Sequence, residues 1–135
     1  MGNSQQQKKQ LKEESFSSIQ KFKRSSVQSH TNILLYLQHC SIDDSSAQIL
    51  SYSLANCINL QILKLYVCWN NFGLQGIIHI GTALGSCTNL RSLLLSLIGL
   101  KIGDQGVINL ICALKNCPNI QYLVFELLGN FKLLF

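Results

Sequence analysis

Charged residues are scarce in this sequence. Asp, Glu, Lys and Arg make up 13% of its 135 residues, about half the usual share of a globular protein. A chain with so little charge must bury much of its surface or share it with a partner. Only six carboxylates are present, and the three histidines stand at dissimilar positions with no spacing typical of a nucleophile and its base. We therefore predict that the protein is not an enzyme.

Motifs for metals, phosphates and secretion are also missing. The six cysteines contain no CxxC pair, which predicts no metal site, and no GxxxxGK segment is present to bind a nucleotide phosphate. The N-terminus lacks the apolar core of a secretory signal. This favours a cytoplasmic protein with reduced thiols, either free or peripherally attached to a membrane. We expect no cofactor and no small-molecule substrate.

The basic charge is concentrated at the N-terminal end. Residues 1–30 carry six basic and two acidic side chains, whereas residues 31–135 are almost neutral. We interpret residues 1–29 as a basic, Gln- and Ser-rich arm, disordered or partly helical, and residues 30–135 as the folded domain. A nearly neutral domain without a basic stripe argues against specific nucleic-acid binding.

Two candidate modification sites lie in this arm. Its start resembles substrates of N-myristoyltransferase, with Gly2 as the acceptor, although Gln6 stands where Ser or Thr is preferred. An acyl chain and the basic side chains together would give weak contact with anionic membranes. The segment KRSSV (23–27) resembles a basophilic kinase site with Ser26 as the acceptor, and phosphate there would oppose the basic charge.

A thirty-residue repeat organises the rest of the chain. CINLQILKLYV (57–67) returns as CTNLRSLLLSL (87–97) and as CPNIQYLVFEL (117–127). Apolar columns two residues apart, such as those through Leu63 and Leu65, predict strands. Columns at i, i+3, i+7 and i+10, as in Ile77, Ile80, Leu84 and Cys87, predict one face of a helix. Each unit is thus a strand and a helix that bury their apolar faces against the next unit.

The pattern LxxLxLxL, followed by Asn and by Phe-Gly or Ile-Gly, resembles the leucine-rich repeat, in particular the ribonuclease-inhibitor-like subclass. The resemblance implies an α/β leucine-rich-repeat solenoid of about three and a half repeats, with a short curved parallel sheet on the concave side and helices on the convex side. The family's turn asparagine falls at Cys40, Asn70 and Leu100, so only Asn70 can make its backbone bond. Asp43 or Asp44, and Asp104, are candidate helix caps.

Strand residues between the buried columns would face the concave surface and form a binding face for a protein partner. The alternative explanation is that they only pack as cross-strand pairs. A second functional hypothesis is a myristoylated, membrane-anchored regulator or scaffold of a signalling enzyme such as a kinase or small GTPase. The apolar end ELLGNFKLLF (126–135) either meets a partner or belongs to a longer array. The candidate partner-binding residues are Tyr36, Lys64, Tyr66, Trp69, Tyr122 and Glu126.

Overall fold

The computed structural model describes residues 12–128 as an α/β protein with one five-stranded, all-parallel sheet. Strands that are consecutive in sequence are neighbours in the sheet, as expected for a chain of strand–helix units. The predicted α/β class is confirmed. In chain order, the elements are β1 (Glu13–Phe16), α1 (Ile19–Arg24), a 3-10 turn (Val27–Ser29), β2 (Asn32–Tyr36), α2 (Asp44–Ala55), β3 (Ile62–Tyr66), α3 (Leu74–Ser86), β4 (Ser92–Ser96), α4 (Gly103–Leu114) and β5 (Tyr122–Glu126).

The register of β2 to β5 follows the sequence repeat, because every paired residue lies thirty positions from its partner. Leu35, Leu65 and Leu95 are adjacent on three strands, and each is 0% exposed. Burying one leucine side chain contributes about 2 kcal/mol. Identical apolar columns therefore complete one another's core, which fixes the register.

The longer helices pack in sequence order, α2 on α3 and α3 on α4. Their apolar stripe is the one that the sequence predicts, since Ala47, Leu50 and Leu54 on α2 are all 0% exposed. Ile77, Ile80 and Leu84 repeat this stripe on α3 and are also 0% exposed. None of the helices within residues 12–128 combines the length and apolar composition needed to cross a bilayer.

The described part of the N-terminal segment is ordered against the repeat units. Within residues 1–29, interpreted above as a disordered or partly helical arm, residues 13–29 form β1, the short helix α1 and the 3-10 turn. β1 pairs with β2, with Glu13 opposite Asn32, and Phe22 of α1 is 0% exposed in the common core. The rings of Phe16 and Phe22 lie 5.3 Å apart. Burial of Phe22 and its contact with the partly buried Phe16 hold this segment against β2 and the core.

An asparagine ladder also joins neighbouring units. Asn89 Nδ2 donates to the carbonyl of Ile58 at 3.0 Å, and Asn119 Nδ2 donates to that of Thr88 at 3.1 Å. Asn59 Nδ2 makes the same bond, at 2.8 Å, to the carbonyl of Gln28 in the 3-10 turn. The N-terminal segment therefore makes the same contact with its neighbour as the longer units do.

The three candidate caps have different roles. Asp43 Oδ1 accepts from the Ser46 N–H at 2.8 Å and caps α2; this backbone hydrogen bond lowers the pKa of the Asp43 carboxyl. Asp44 instead reaches forward to the next helix, where its Oδ1 accepts from the N–H groups of Gly73 at 3.0 Å and Gly76 at 2.8 Å. Asp104 lies in the first turn of α4, whose N-cap, Ile102, makes no side-chain capping bond. The expectation that Asp104 caps this helix is therefore wrong.

Candidate functional site

The face of the sheet opposite the buried columns carries most of the predicted site residues. We call it the open face; it is made of the strand positions that alternate with the buried leucines. In the row at the ends of the strands, Tyr36, Tyr66, Ser96 and Glu126 are consecutive neighbours. The row before it holds Leu34, Lys64, Leu94 and Val124.

Tyr36 and Tyr66 form a stacked pair on β2 and β3. Their ring centroids are 4.9 Å apart, with 17° between the planes. Tyr36 is 49% exposed, and Tyr66 is partly buried. Offset-stacked aromatic pairs contribute about 1 kcal/mol beyond their buried area. The pair thus presents a fixed aromatic surface to solvent.

A second aromatic pair follows directly after the same two strands. The rings of His39 and Trp69 are nearly parallel, with 4° between their planes and 6.2 Å between centroids. Trp69 is 54% exposed. We call Tyr36, Tyr66, His39 and Trp69 together the aromatic cluster. Both of its pairs join the unit of β2 to that of β3.

The backbone below this second pair is left-handed in three successive units. His39, Trp69 and Gly99 have φ values of 52°, 56° and 75°. Their N–H groups donate to the carbonyls of Cys68, Ile98 and Leu128, respectively, at 3.0–3.2 Å. A positive φ is costly for a residue as bulky as Trp. Such strain in a well-bonded backbone is typical of functional sites.

Gly99 creates the space that Trp69 occupies. A Cβ at position 99 would overlap the indole ring of Trp69. The indole therefore lies against the backbone of the next unit on one side and is aligned with His39 on the other. These contacts hold the ring in place although half of it is exposed.

Lys64 is paired with an acidic residue that the sequence analysis did not place in the site. Its Nζ lies 3.1 Å from Glu13 Oε2 on β1, two strands away, and both side chains are partly exposed. The pair neutralises the lysine beside the aromatic cluster. Glu13 was missed because the repeat columns do not extend into residues 13–29.

Glu126 ends a short polar line across β3, β4 and β5. Ser96 Oγ donates to Glu126 Oε2 at 2.5 Å, and Cys68 Sγ lies 2.9 Å from Ser96 Oγ. Ser96 is 1% exposed and Cys68 is 4% exposed. One oxygen of the Glu126 carboxylate therefore makes a hydrogen bond within the protein, and this bond orients the Ser96 hydroxyl.

The remaining predicted residues lie away from the aromatic cluster. Tyr122 begins β5, roughly 10 Å across the sheet and 13 Å along it from Tyr66. Ser26 is exposed just before the 3-10 turn, behind Lys23 and Arg24, so it is accessible for modification. Gly2 lies outside the described residues.

Three buried thiols mark the repeat on the helix side. Cys57 and Cys87 are 0% and 1% exposed, and desolvation raises the pKa of each to about 12. Burial also raises the pKa of the Cys117 thiol. Thiols held in the protonated form are poor nucleophiles and poor metal ligands. Within residues 12–128, no group of three or more His, Cys, Asp or Glu side chains is arranged to hold a metal ion.

Two cavities lie at the N-terminal end, away from the aromatic cluster. One of about 330 Å³ is lined by Ser18, Ile19, Leu37 and Cys40. The other, of about 540 Å³, is lined mainly by residues 25–29 around the 3-10 turn. Neither includes a residue of the aromatic cluster.

Comparison with other proteins gives no family to which the site can be assigned. No model of a protein family matches this chain, and no curated protein matches it.

Proposed function

We propose that the protein is a non-catalytic interaction module, a leucine-rich-repeat solenoid of the ribonuclease-inhibitor-like type, which binds a protein partner through the aromatic cluster. The observation that carries this proposal is two exposed ring contacts between adjacent units: Tyr36 with Tyr66 on β2 and β3, and His39 with Trp69 just after these strands. The partner contact would lie on the open face of the sheet.

The solenoid part of the proposal is supported by the thirty-residue register and by Asn70. The side chain of Asn70 accepts from the N–H groups of Cys40 and Ile42, both at 3.0 Å. Its Nδ2 donates to the carbonyls of Leu37, Val67 and Cys68. This is the backbone bonding that the resemblance to leucine-rich repeats implies for the turn asparagine.

The binding part rests on the energetics of fixed, exposed aromatic rings. Tyr and Trp are enriched among the residues that dominate protein interfaces, where truncating one costs about 2 kcal/mol or more. Here the rings are held by stacking and, for Trp69, by the backbone at Gly99. Less side-chain entropy is therefore lost when a partner covers them.

The chemistry of the surface indicates an apolar or uncharged segment of the partner. Lys64 is neutralised by Glu13, and Glu126 accepts a hydrogen bond from Ser96. Binding should therefore depend little on salt. Strong salt dependence would instead point to attachment through the basic N-terminal residues.

The test compares two variants that lack aromatic rings on opposite sides of the protein. A variant with both Tyr66→Ala and Trp69→Ala is compared with Tyr52→Ala, which removes a ring that is 63% exposed on α2. Partners are captured from the native cell with each variant and with the wild type, and circular dichroism checks the fold. We expect the double variant to lose at least one stoichiometric partner that Tyr52→Ala retains. Identical partner sets for all three proteins would refute the proposal.

Trp69 provides an independent readout because it is the only tryptophan in the chain. Covering its half-exposed ring with an apolar partner segment should shift its emission to shorter wavelength. A purified partner that binds the protein without changing this emission binds somewhere other than the aromatic cluster.

A further inference from the structure

Among residues 12–128, an exposed apolar surface lies at the β5 end of the sheet, independent of the aromatic cluster. Leu123 of β5 is 48% exposed, whereas its equivalent Leu93 on β4 is 1% exposed. We call this surface the β5 end. Its exposed apolar residues are Tyr122, Leu123, Val124 and Leu128 around β5, and Ile108 and Ile111 on α4.

The exposed side of α4 at the β5 end is equivalent in the repeat to the side of α3 that packs against α4. On α3, Gly81 lies against Ala113, and Gly85 lies against the Ala113 carbonyl and Asn116. Thirty positions later, the same side of α4 carries Ile111 and Lys115. Asp104 and Ile108 complete this stripe, since the four residues are at i, i+4, i+7 and i+11.

The two charged residues of this stripe have opposite signs and lie at opposite ends of α4, so two copies of the stripe can pair with each other. Asp104 lies near the start of α4 and Lys115 just after its end, with Ile108 and Ile111 between them. A second α4 placed antiparallel against the first would bring each Asp104 to the Lys115 of the other copy. The isoleucines would meet in the middle.

The edge of β5 offers backbone groups for the same arrangement. In a parallel strand, the N–H and C=O of one residue point to the same side. The Glu126 carbonyl accepts a hydrogen bond from the Leu97 N–H, so it points towards β4. Because this direction alternates along a strand, the N–H and C=O groups of Leu123 and Phe125 point away from β4. β5 is the last strand of the sheet within residues 12–128.

We propose that the β5 end is an interface with a second copy of this chain, related by a two-fold axis near Val124. The two β5 strands pair antiparallel, with Leu123 opposite Phe125 of the second copy as hydrogen-bonded pairs. Tyr122 faces Glu126 of the second copy, so a phenol can donate to a carboxylate. The same axis makes the two α4 helices antiparallel and pairs Asp104 with Lys115.

The opposite edge of the sheet does not suit this role. β1 has four residues, EESF, and Lys12 precedes it. Short, charged edge strands resist pairing. Joining β1 of one copy to β5 of another would also generate open chains instead of closed dimers. Charge and closure thus favour the two-fold arrangement.

The first test is a charge exchange on the full chain, followed by sedimentation velocity at increasing protein concentration. The wild type should pass from monomer to dimer. Asp104→Lys alone and Lys115→Asp alone should each raise the dissociation constant about tenfold or more, because symmetry turns two attractions into two repulsions. The protein with both substitutions should dimerise like the wild type, and high salt should weaken these differences.

The second test examines the strand register by cross-linking. In a background with Cys40→Ser and Cys112→Ser, which removes the two exposed thiols, Val124→Cys places one thiol on each side of the axis. Non-hydrogen-bonded antiparallel pairs have Cα atoms about 4.5 Å apart, within disulfide range. Mild oxidation should therefore yield a covalent dimer, whereas Leu94→Cys, on the next strand inward, should not.

Three results would overturn the proposal. A wild type that stays monomeric at every concentration would show that residues of its own chain, or nothing, cover the β5 end. Open-ended oligomers would indicate a head-to-tail contact. A dimer that is indifferent to both single charge reversals and gives no cross-link through Val124→Cys would place the interface elsewhere. None of these outcomes bears on the aromatic cluster.

Discussion

Replacing Asn70 with alanine should destabilise the protein more than any substitution of a neighbouring polar side chain. Asn70 is 7% exposed and makes five hydrogen bonds to backbone groups of two successive turns. Alanine would leave the N–H groups of Cys40 and Ile42 without their acceptor. The carbonyls of Leu37 and Val67 would also lose the Asn70 donor.

The magnitude follows from the cost of burying an unpaired donor. Each buried N–H left without an acceptor costs about 1–3 kcal/mol. The bond to Ile42 is buried and the bond to Cys40 is partly buried. Asn70→Ala should therefore lower the free energy of unfolding by about 3 kcal/mol, a large part of the 5–15 kcal/mol that is typical of a domain.

Asn70→Asp tests the acceptor side and the donor side of the Asn70 side chain separately. The carboxylate keeps an acceptor for Cys40 and Ile42, but it places an oxygen where Nδ2 faced three carbonyls. Burial and these carbonyls raise the pKa of the introduced carboxyl in the folded state. The folded state then binds the proton more tightly than the unfolded state, so the free energy of unfolding falls as pH rises. We expect the deficit relative to wild type to shrink on acidification.

The assay is urea unfolding followed by far-ultraviolet circular dichroism at several pH values. Asn71→Ala and Asn71→Asp are the matched controls, because Asn71 is the exposed asparagine next in sequence. If Asn70→Ala unfolded within about 0.5 kcal/mol of Asn71→Ala, the buried network would have no measurable stabilising role. A deficit for Asn70→Asp that grows on acidification would contradict the proposed proton linkage.

Two further outcomes concern the helix cap and the buried thiols. Asp44→Ala should cost about 1 kcal/mol in thermal unfolding, because Gly73 and Gly76 lose their acceptor, while Asp104→Ala should cost less; equal costs would contradict the forward cap. In native alkylation at pH 8, read by peptide mass spectrometry, exposed Cys40 and Cys112 should react and Cys57 and Cys87 should not. Folding raises the thiol pKa of Cys57 and Cys87 from 9.0 to about 12, so each thiol should lower the free energy of unfolding by about 1–2 kcal/mol at pH 10 relative to neutral pH. Cys87→Ala should make this alkaline decrease smaller.

Most of the fold could be predicted from the sequence because its units repeat with one period. A column such as Leu35, Leu65 and Leu95 is both a sequence pattern and a row of contacts, since parallel strands align residues thirty apart. The N-terminal unit breaks this relation. Glu13 pairs with Asn32, only nineteen residues later, so no alignment at thirty residues can find β1.

The candidate site was harder to predict, because its contacts run between side chains of different columns. Strand alternation correctly placed Tyr36 and Tyr66 side by side. It could not show that Lys64 reaches Glu13, two strands away, or that Glu126 is engaged by Ser96. Tyr122 entered the prediction as an aromatic residue of the same face, although it lies at the other end of the strands from Tyr66.

Side-chain hydrogen bonds between units distinguish the preceding unit from the next one, which the identical apolar columns alone would not do. Asn89 and Asn119 reach back to carbonyls of the preceding unit, while Asp44 reaches forward to the next helix. At the N-terminal side of residues 12–128, a short, irregular unit supplies the carbonyl of Gln28, to which Asn59 donates. At the other side, Leu123 and Ile111 remain exposed. The two ends are therefore chemically different, which is why we expect association at β5 and none at β1.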